Sequence, residues 1–160
     1  MFENLTVTNS YNSNIKYLMI DGKQLTVQIT NETSDICFTA VRDKLKLSLI
    51  RSDNSEYFNY LEQLSQKLSA EFKNFHDPIS QHKYTKLTID LDRSKVYFNN
   101  KKYPLNRPQI KDLFESSRCV SGKVKFRLYH YDNEIFLISL VETLIIGNEI
   151  LTFSHGEDVL

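Results

Sequence analysis

Apolar residues recur at every second position along most of this chain and at every third or fourth position in one segment. The apolar run Ile15 to Ile20 ends at Asp21-Gly22, a strong tight-turn pair. Leu25, Val27 and Ile29 then alternate with Gln24, Thr26 and Gln28, which predicts a hairpin. Asn31 to Ser34 reads as a polar turn and Ile36 to Val41 as a third β-rich run. In "KLKLSLI", Leu45, Leu47 and Leu49 face inward and Lys44, Lys46 and Ser48 outward, a solvated face. After Arg51 the period changes. Phe58, Leu61, Leu64, Leu68 and Phe72 make one apolar stripe, predicting a helix over Ser55 to Phe72. Asp53 with Glu56 fits a capping box, and His76-Asp77-Pro78 supplies the stop.

Period two then returns. Leu87, Ile89 and Leu91 alternate with Lys86, Thr88 and Asp90, "KVYF" follows a short turn, and "NNKK" (Asn99 to Lys102) is a further turn. "RPQIKDLFES" predicts a short helix, with Pro108 near its start and Ile110, Leu113 and Phe114 as its stripe. Gly122 opens a strand to Tyr131, "YDNE" turns, and Ile135 to Ile146 forms a long last strand. Ser139 and Glu142 interrupt that strand and Gly147 closes it. Nearly every strand has one apolar and one polar face. A sheet of that kind loses its edges by closing. The expected fold is therefore mainly β (α+β), an OB-fold-like antiparallel β-barrel with one long inserted helix and one short helix. The 160 residues suit a single domain, 1–160, with a short flexible C-terminal tip at about 153–160.

Composition narrows the class. Hydrophobic content of 41% and charged content of 25% are ordinary for a globular domain, and Gly and Pro are scarce. Cys37 and Cys119 form no CxxC pair, which points to buried thiols in a reducing, cytoplasmic setting. No basic leader precedes an apolar run, and no window approaches the roughly 18 apolar residues of a membrane span. Formal net charge is zero, yet its distribution is uneven. Arg93 to Arg127 holds ten Lys/Arg against two acids, whereas Leu128 to Leu160 holds six acids and no Lys or Arg. A basic patch is expected wherever the first segment is displayed.

No enzyme constellation assembles. The histidines (76, 82, 130 and 155) are scattered, and HExxH, GxSxG, Walker and GxGxxG patterns are absent. Asp90 and Asp92 share a strand face as in some metal-dependent nucleases, but no Glu-x-Lys follows at Glu134 to Phe136, and a turn-flanking acidic pair accounts for them. His130 falls on the apolar side of its strand as a core histidine, and Cys119 beside Arg118 has no acid–base partner. No cofactor, metal or catalytic residue is expected.

What remains is a binding face. In "GKVKFRLYHY", Lys123, Lys125, Arg127, Tyr129 and Tyr131 point away from the core. "RSKVYFNNKKYPL" repeats the mixture with Arg93, Lys95, Tyr97, Lys101, Lys102 and Tyr103, and Arg118 lies in the same basic segment. Cations for phosphates and aromatic platforms for bases are the two ingredients of single-strand binding without sequence preference. An exposed sheet face can also carry lysine and tyrosine for packing alone.

Lys86 to Ile146 runs through a strand, a short strand, an "IKDLF" helix, a basic strand after Ser-Gly and a long strand ending "V-x-x-L-x-I". This segment resembles the C-terminal half of viral-type OB-fold single-stranded DNA-binding proteins, the replication proteins of phages, large DNA viruses and linear plasmids. The resemblance implies a non-enzymatic protein whose partner is single-stranded DNA, with replication proteins as further partners. It also implies a helix inserted between the third and fourth barrel strands. The stacking tryptophans common in that family are absent, leaving Tyr97, Tyr103, Tyr129 and Tyr131, and the ending "GEDVL" is shorter than the family's acidic tails. Two other classes stay open: an all-β interaction or virion protein whose basic patch docks an acidic partner, and a metal-dependent nuclease.

Overall fold

The computed structural model describes residues 2–39, 43–81, 83–99, 101–102 and 107–150. Tyr103, His82, His155 and the expected tip at 153–160 lie outside them. Among the described residues, eleven strands join into one sheet. They are β1 (Leu5–Asn9), β2 (Ile15–Ile20), β3 (Lys23–Gln24), β4 (Thr26–Thr39), β5 (Lys44–Ile50), β6 (Phe75–His76), β7 (Tyr84–Asp90), β8 (Lys95–Phe98), β9 (Lys101–Lys102), β10 (Arg118–Tyr131) and β11 (Glu134–Ile150). Helix α1 is Glu56–Glu71 and α2 is Arg107–Leu113. Neither is long and apolar enough to cross a membrane.

Five strands close on themselves in the order β10, β4, β5, β7, β11 and back to β10. Counted along the chain, barrel strands one to five are β4, β5, β7, β10 and β11, and the third lies beside the fifth. That is the Greek-key connectivity of an OB barrel. Closure is not wholly antiparallel, because β11 runs parallel to β7 and also to β6 and β8. A parallel seam needs a long crossover, here supplied by everything between β7 and β11. The long helix sits between the second and third barrel strands, and the short helix takes the position between the third and fourth. The expected place of the long insertion is corrected accordingly.

Several local expectations change. Asn31 to Ser34 is not a turn: it lies inside β4, a continuous 14-residue strand. Register shifts near Asn31 (φ 51°) and between Ser34 and Cys37 coil β4 so that it pairs with β10 and then β5. The polar groups of this stretch have partners: Asn31 N–H donates to Ser121 Oγ and Ser34 Oγ to the Arg118 carbonyl, both at 3.0 Å. The cap of α1 is Ser55 rather than Asp53. Ser55 Oγ accepts from Phe58 N–H (3.1 Å) and donates to Glu32 Oε1 (2.6 Å), a partner 23 residues away. Gly122 does not open β10, which begins at Arg118, and Gly147 does not close β11, which runs to Ile150. Lys101 and Lys102, expected in a turn, form β9, and β2 makes its hairpin with β3, whereas the run from Thr26 enters β4 and pairs with β10. Asp132 and Asn133 take positive φ in the β10–β11 turn.

The core fills the barrel. Leu45, Leu47, Leu49, Leu87, Ile89, Val124, Phe126 and Leu128 point inward and are almost wholly buried. Helix α1 closes the interior with Tyr57, Phe58, Leu61, Leu64 and Leu68, each such side chain contributing about 1.5–3 kcal/mol. Tyr57 Oη meets Ser139 Oγ at 3.0 Å inside the barrel, which accounts for the first polar interruption of β11. Phe72 packs edge-on against His130, which is only half-buried and whose Nε2 has no hydrogen-bond partner among the described residues, so it is not the satisfied core histidine expected.

Burial pushes the Glu32 carboxyl above its usual value, against the hydrogen bonds that it accepts from Ser55 and Tyr57. The folded state then holds that proton more tightly than the unfolded state. Stability falls as pH rises from the unfolded value, about 4.3, through the raised folded one, and the loss persists above it. Glu32→Gln is expected to flatten that part of a pH series of urea melts. At neutral pH it should be no less stable than the parent, because Gln Oε1 can still accept from Ser55.

Candidate nucleic-acid interface

The outward residues of β10 meet those of its neighbours in lateral rows across the barrel. One row is Ile15 (β2), Tyr129 (β10), Phe136 (β11) and His76 (β6). The next along is Tyr17, Arg127 and Ile138. A third is Lys125, Leu140, Thr88 and Lys46, reaching from β10 through β11 and β7 to β5. A fourth is Lys123, Thr143 and Lys95. Strands lie about 4.8 Å apart and alternate residues about 6.6 Å apart, so these rows tile one surface.

That surface is concave. A groove of about 550 Å³ runs between Lys44, Lys46 and Thr88 on one bank and Arg127, Tyr129 and Ile15 on the other. A second, of about 310 Å³, adds Lys95, Lys125 and Glu142 and shares Arg93, Arg127 and Leu140 with the first. The two form one trough over the outer face of β5, β7, β11, β10 and β2, its floor made apolar by Ile138 and Leu140.

The aromatic half is ordered in pairs. Tyr129 and Tyr131 stack with centroids 6.2 Å apart and planes 9° from parallel, and Tyr131 is 63% exposed. His76 stacks on Phe136 at 4.4 Å and 15°, held by Glu134 Oε2 at 3.0 Å from its Nε2. The Arg127 guanidinium lies over the Tyr17 ring at 5.3 Å, and its covered Nε has no acceptor among the described residues.

The cationic half is partly paired within the protein. Lys46 Nζ donates to Thr88 Oγ1 at 2.6 Å, and burial followed by the Lys86 and Lys44 charges presses its ammonium below the usual value. Lys44 Nζ lies 3.5 Å from Asp43 and 3.9 Å from Asp90. Lys125 and Lys123 lie 2.9 and 3.8 Å from Glu142. Among the described residues no such ion pair holds Arg93, Lys95 or Arg127.

Of the residues singled out in the sequence, Lys123, Lys125, Arg127, Tyr129 and Tyr131 share the trough face, and Lys95 joins them through Thr143. Tyr97 lies beside Ile145 one row further along, with Lys102 opposite it on β9. Lys101 pairs with Phe98, on the other side of that ribbon. Arg118 also turns away: its Nε donates to the Leu113 carbonyl at the end of α2, and its guanidinium covers the Phe98 ring at 5.3 Å. Arg93, also singled out in the sequence, lines both grooves. Sequence reasoning did not place Tyr17, His76 or Phe136 on this face, and it read Lys44 and Lys46 as solvated. Lys44 and Lys46 carried a signal, since strands two and three of an OB barrel commonly form its binding face.

Asp43, Asp90 and Asp92 bring one oxygen each within 4.8 Å. Asp90 ends β7 and accepts from Asp92 N–H at 2.9 Å, while Asp43 and Asp92 hydrogen-bond each other, lowering the first carboxyl and raising the second. Lys44 supplies the adjacent positive charge. Burial pushes the Cys37 thiol up to about 11, and Cys119 is half-buried with Asn31 Oδ1 at 3.5 Å, so neither has the setting of a nucleophile.

No protein-family model and no curated protein sequence matches the chain. Solved structures do. The single-stranded DNA-binding protein from bacteriophage Enc34 superposes with a TM-score of 0.56 over 97% of this chain and 96% of its own, at 9% identity. A single-stranded DNA-binding protein encoded by bacteriophage T7, gp2.5, aligns with a TM-score of 0.43 over 84% of this chain and 91% of its own, at 14% identity. At 9% identity over nearly the whole of both chains, what this protein shares with the Enc34 protein is its fold.

Proposed function

We propose that this protein binds single-stranded DNA in the trough, without strong sequence preference and without catalysis, in the replication of a virus or plasmid in its host's cytoplasm. The observation that carries the reading is the continuity of the trough. Arg93, Lys95, Lys125 and Arg127 line it together with Tyr129, and Lys123, Tyr131, Phe136 and His76 extend the same outer face of the sheet by register. Phosphates take the cations, and bases lie on the paired rings, each stacked base contributing about 1–3 kcal/mol. The fold shared with a phage single-stranded DNA-binding protein supports the same reading. Replication proteins are its expected partners.

Fluorescence anisotropy with labelled oligo-dT of roughly 16 nucleotides tests it. Each phosphate neutralised on a single strand adds about −0.7 to the slope of log K against log salt. With about three to five such contacts, affinity is expected to fall roughly 15- to 100-fold between about 50 and 200 mM salt. Duplex of the same length should bind more weakly. Equal, weak binding to both would instead favour a protein that docks an acidic partner. Mg-dependent loss of the oligonucleotide would turn attention to Asp43, Asp90 and Asp92.

A further inference from the structure

Glu142 is the second polar interruption of β11, and unlike Ser139 it has no partner in the core. It sits at a break in register: Lys123 pairs with Thr143, but Val124 pairs with Val141, so Glu142 is an extra residue, a β-bulge. Such a bulge re-aims side chains. Leu144 and Ile146 turn into the core beyond it, while Glu142 is set on the trough face with Thr143. Its two oxygens reach Lys125 Nζ at 2.9 Å and Lys123 Nζ at 3.8 Å. A carboxylate stands where a phosphate oxygen would be held.

We propose that Glu142 is a built-in competitor for phosphate, which occupies Lys123 and Lys125 until a polyanion displaces it and so sets the affinity for single-stranded DNA. The inference rests on the function proposed above. Asp43, Asp90 and Asp92 also line the first groove, but among the described residues Arg127, Arg93 and Lys95 make no ion pair, and a strand entering the trough engages Lys123 and Lys125 only by breaking their pairing with Glu142. The competitor lowers affinity for short or sparsely charged anions most, because they cannot draw on the neighbouring cations. While Glu142 holds the two lysines they neutralise fewer phosphates, so binding releases fewer counterions from the strand than the number of lysines implies.

Glu142→Gln removes the charge and keeps the shape. On labelled oligo-dT it is expected to bind roughly 5- to 10-fold tighter at about 50 mM salt, with a log–log salt slope steeper by about 0.7 to 1.4, one or two extra phosphates. Glu142→Ala should tighten binding in the same direction. Lys125→Gln should lower affinity in the parent and lower it more in Glu142→Gln, where it abolishes most of the gain. A residue that merely positioned the lysines would behave oppositely: Glu142→Gln would bind no better, with an unchanged slope, and that result overturns the proposal. Binding by the parent without tightening in either variant sinks this inference alone. Binding by none of the proteins removes the functional reading as well. Circular-dichroism melts confirm that each variant is folded.

Discussion

Arg127→Ala combined with Tyr129→Ala is expected to lower affinity for oligo-dT by at least roughly 60-fold while leaving the barrel folded. Removing one stacking ring costs about 1–3 kcal/mol and one charge-assisted contact about 1.5–3 kcal/mol, and each 1.4 kcal/mol is tenfold in the dissociation constant. The two residues adjoin on the trough face, so the losses fall on one stretch of bound strand. Neither side chain enters the core, which β10 fills with Val124, Phe126 and Leu128. The structural cost is the contact of Arg127 with the Tyr17 ring, about 0.5–1 kcal/mol at an exposed site. Anisotropy titrations check the affinity and thermal melts the fold. Lys101→Ala is the matched control: it removes a cation of the same basic segment from a ribbon face turned away from the trough, and should change affinity less than threefold. A double variant that still bound within threefold of the parent would place the DNA elsewhere.

Gly122→Ala is expected to cost roughly 2–4 kcal/mol of stability, from backbone strain and overpacking together. Gly122 has φ of +154°, and a Cβ there would fall 2.0 Å from the Thr143 carbonyl oxygen and 3.1 Å from the Leu144 Cα. These are backbone atoms of β11, the strand whose pairing with β10 closes the barrel, and they cannot turn aside as a side chain could. Gly22 provides the comparison. It too has positive φ (+78°), but open space surrounds it, so Gly22→Ala carries only the local strain, about 1 kcal/mol. Urea melts of the two variants should rank them in that order.

Much of the fold was legible because it depends on short-range periodicity. The outward set Lys123, Lys125, Arg127, Tyr129 and Tyr131 follows from alternation alone, and the α1 stripe from Phe58 to Leu68 follows from spacings of three and four. What escaped depends on contacts distant in sequence. Ser55 outcompetes Asp53 as the cap because Glu32 waits across the barrel, and Asn31 to Ser34 looks like a turn until Ser121 and Arg118 are seen to satisfy it. Lys46 reads as a solvated lysine unless its row is known to continue through Thr88 and Leu140 to Lys125. Arg118 reads as a binding cation unless the end of α2 is known to lie under it. Local pattern assigns the face of a residue, and barrel closure assigns its neighbours.

Photocrosslinking of 5-iododeoxyuridine oligonucleotides, followed by mass spectrometry of the adducts, tests most directly where the strand lies. Adducts at Tyr17, Tyr129, Tyr131, Phe136 or His76 are the predicted result. Adducts confined to the solvent face of α1 or to the outer side of α2, with those five rings unmodified, would contradict the account.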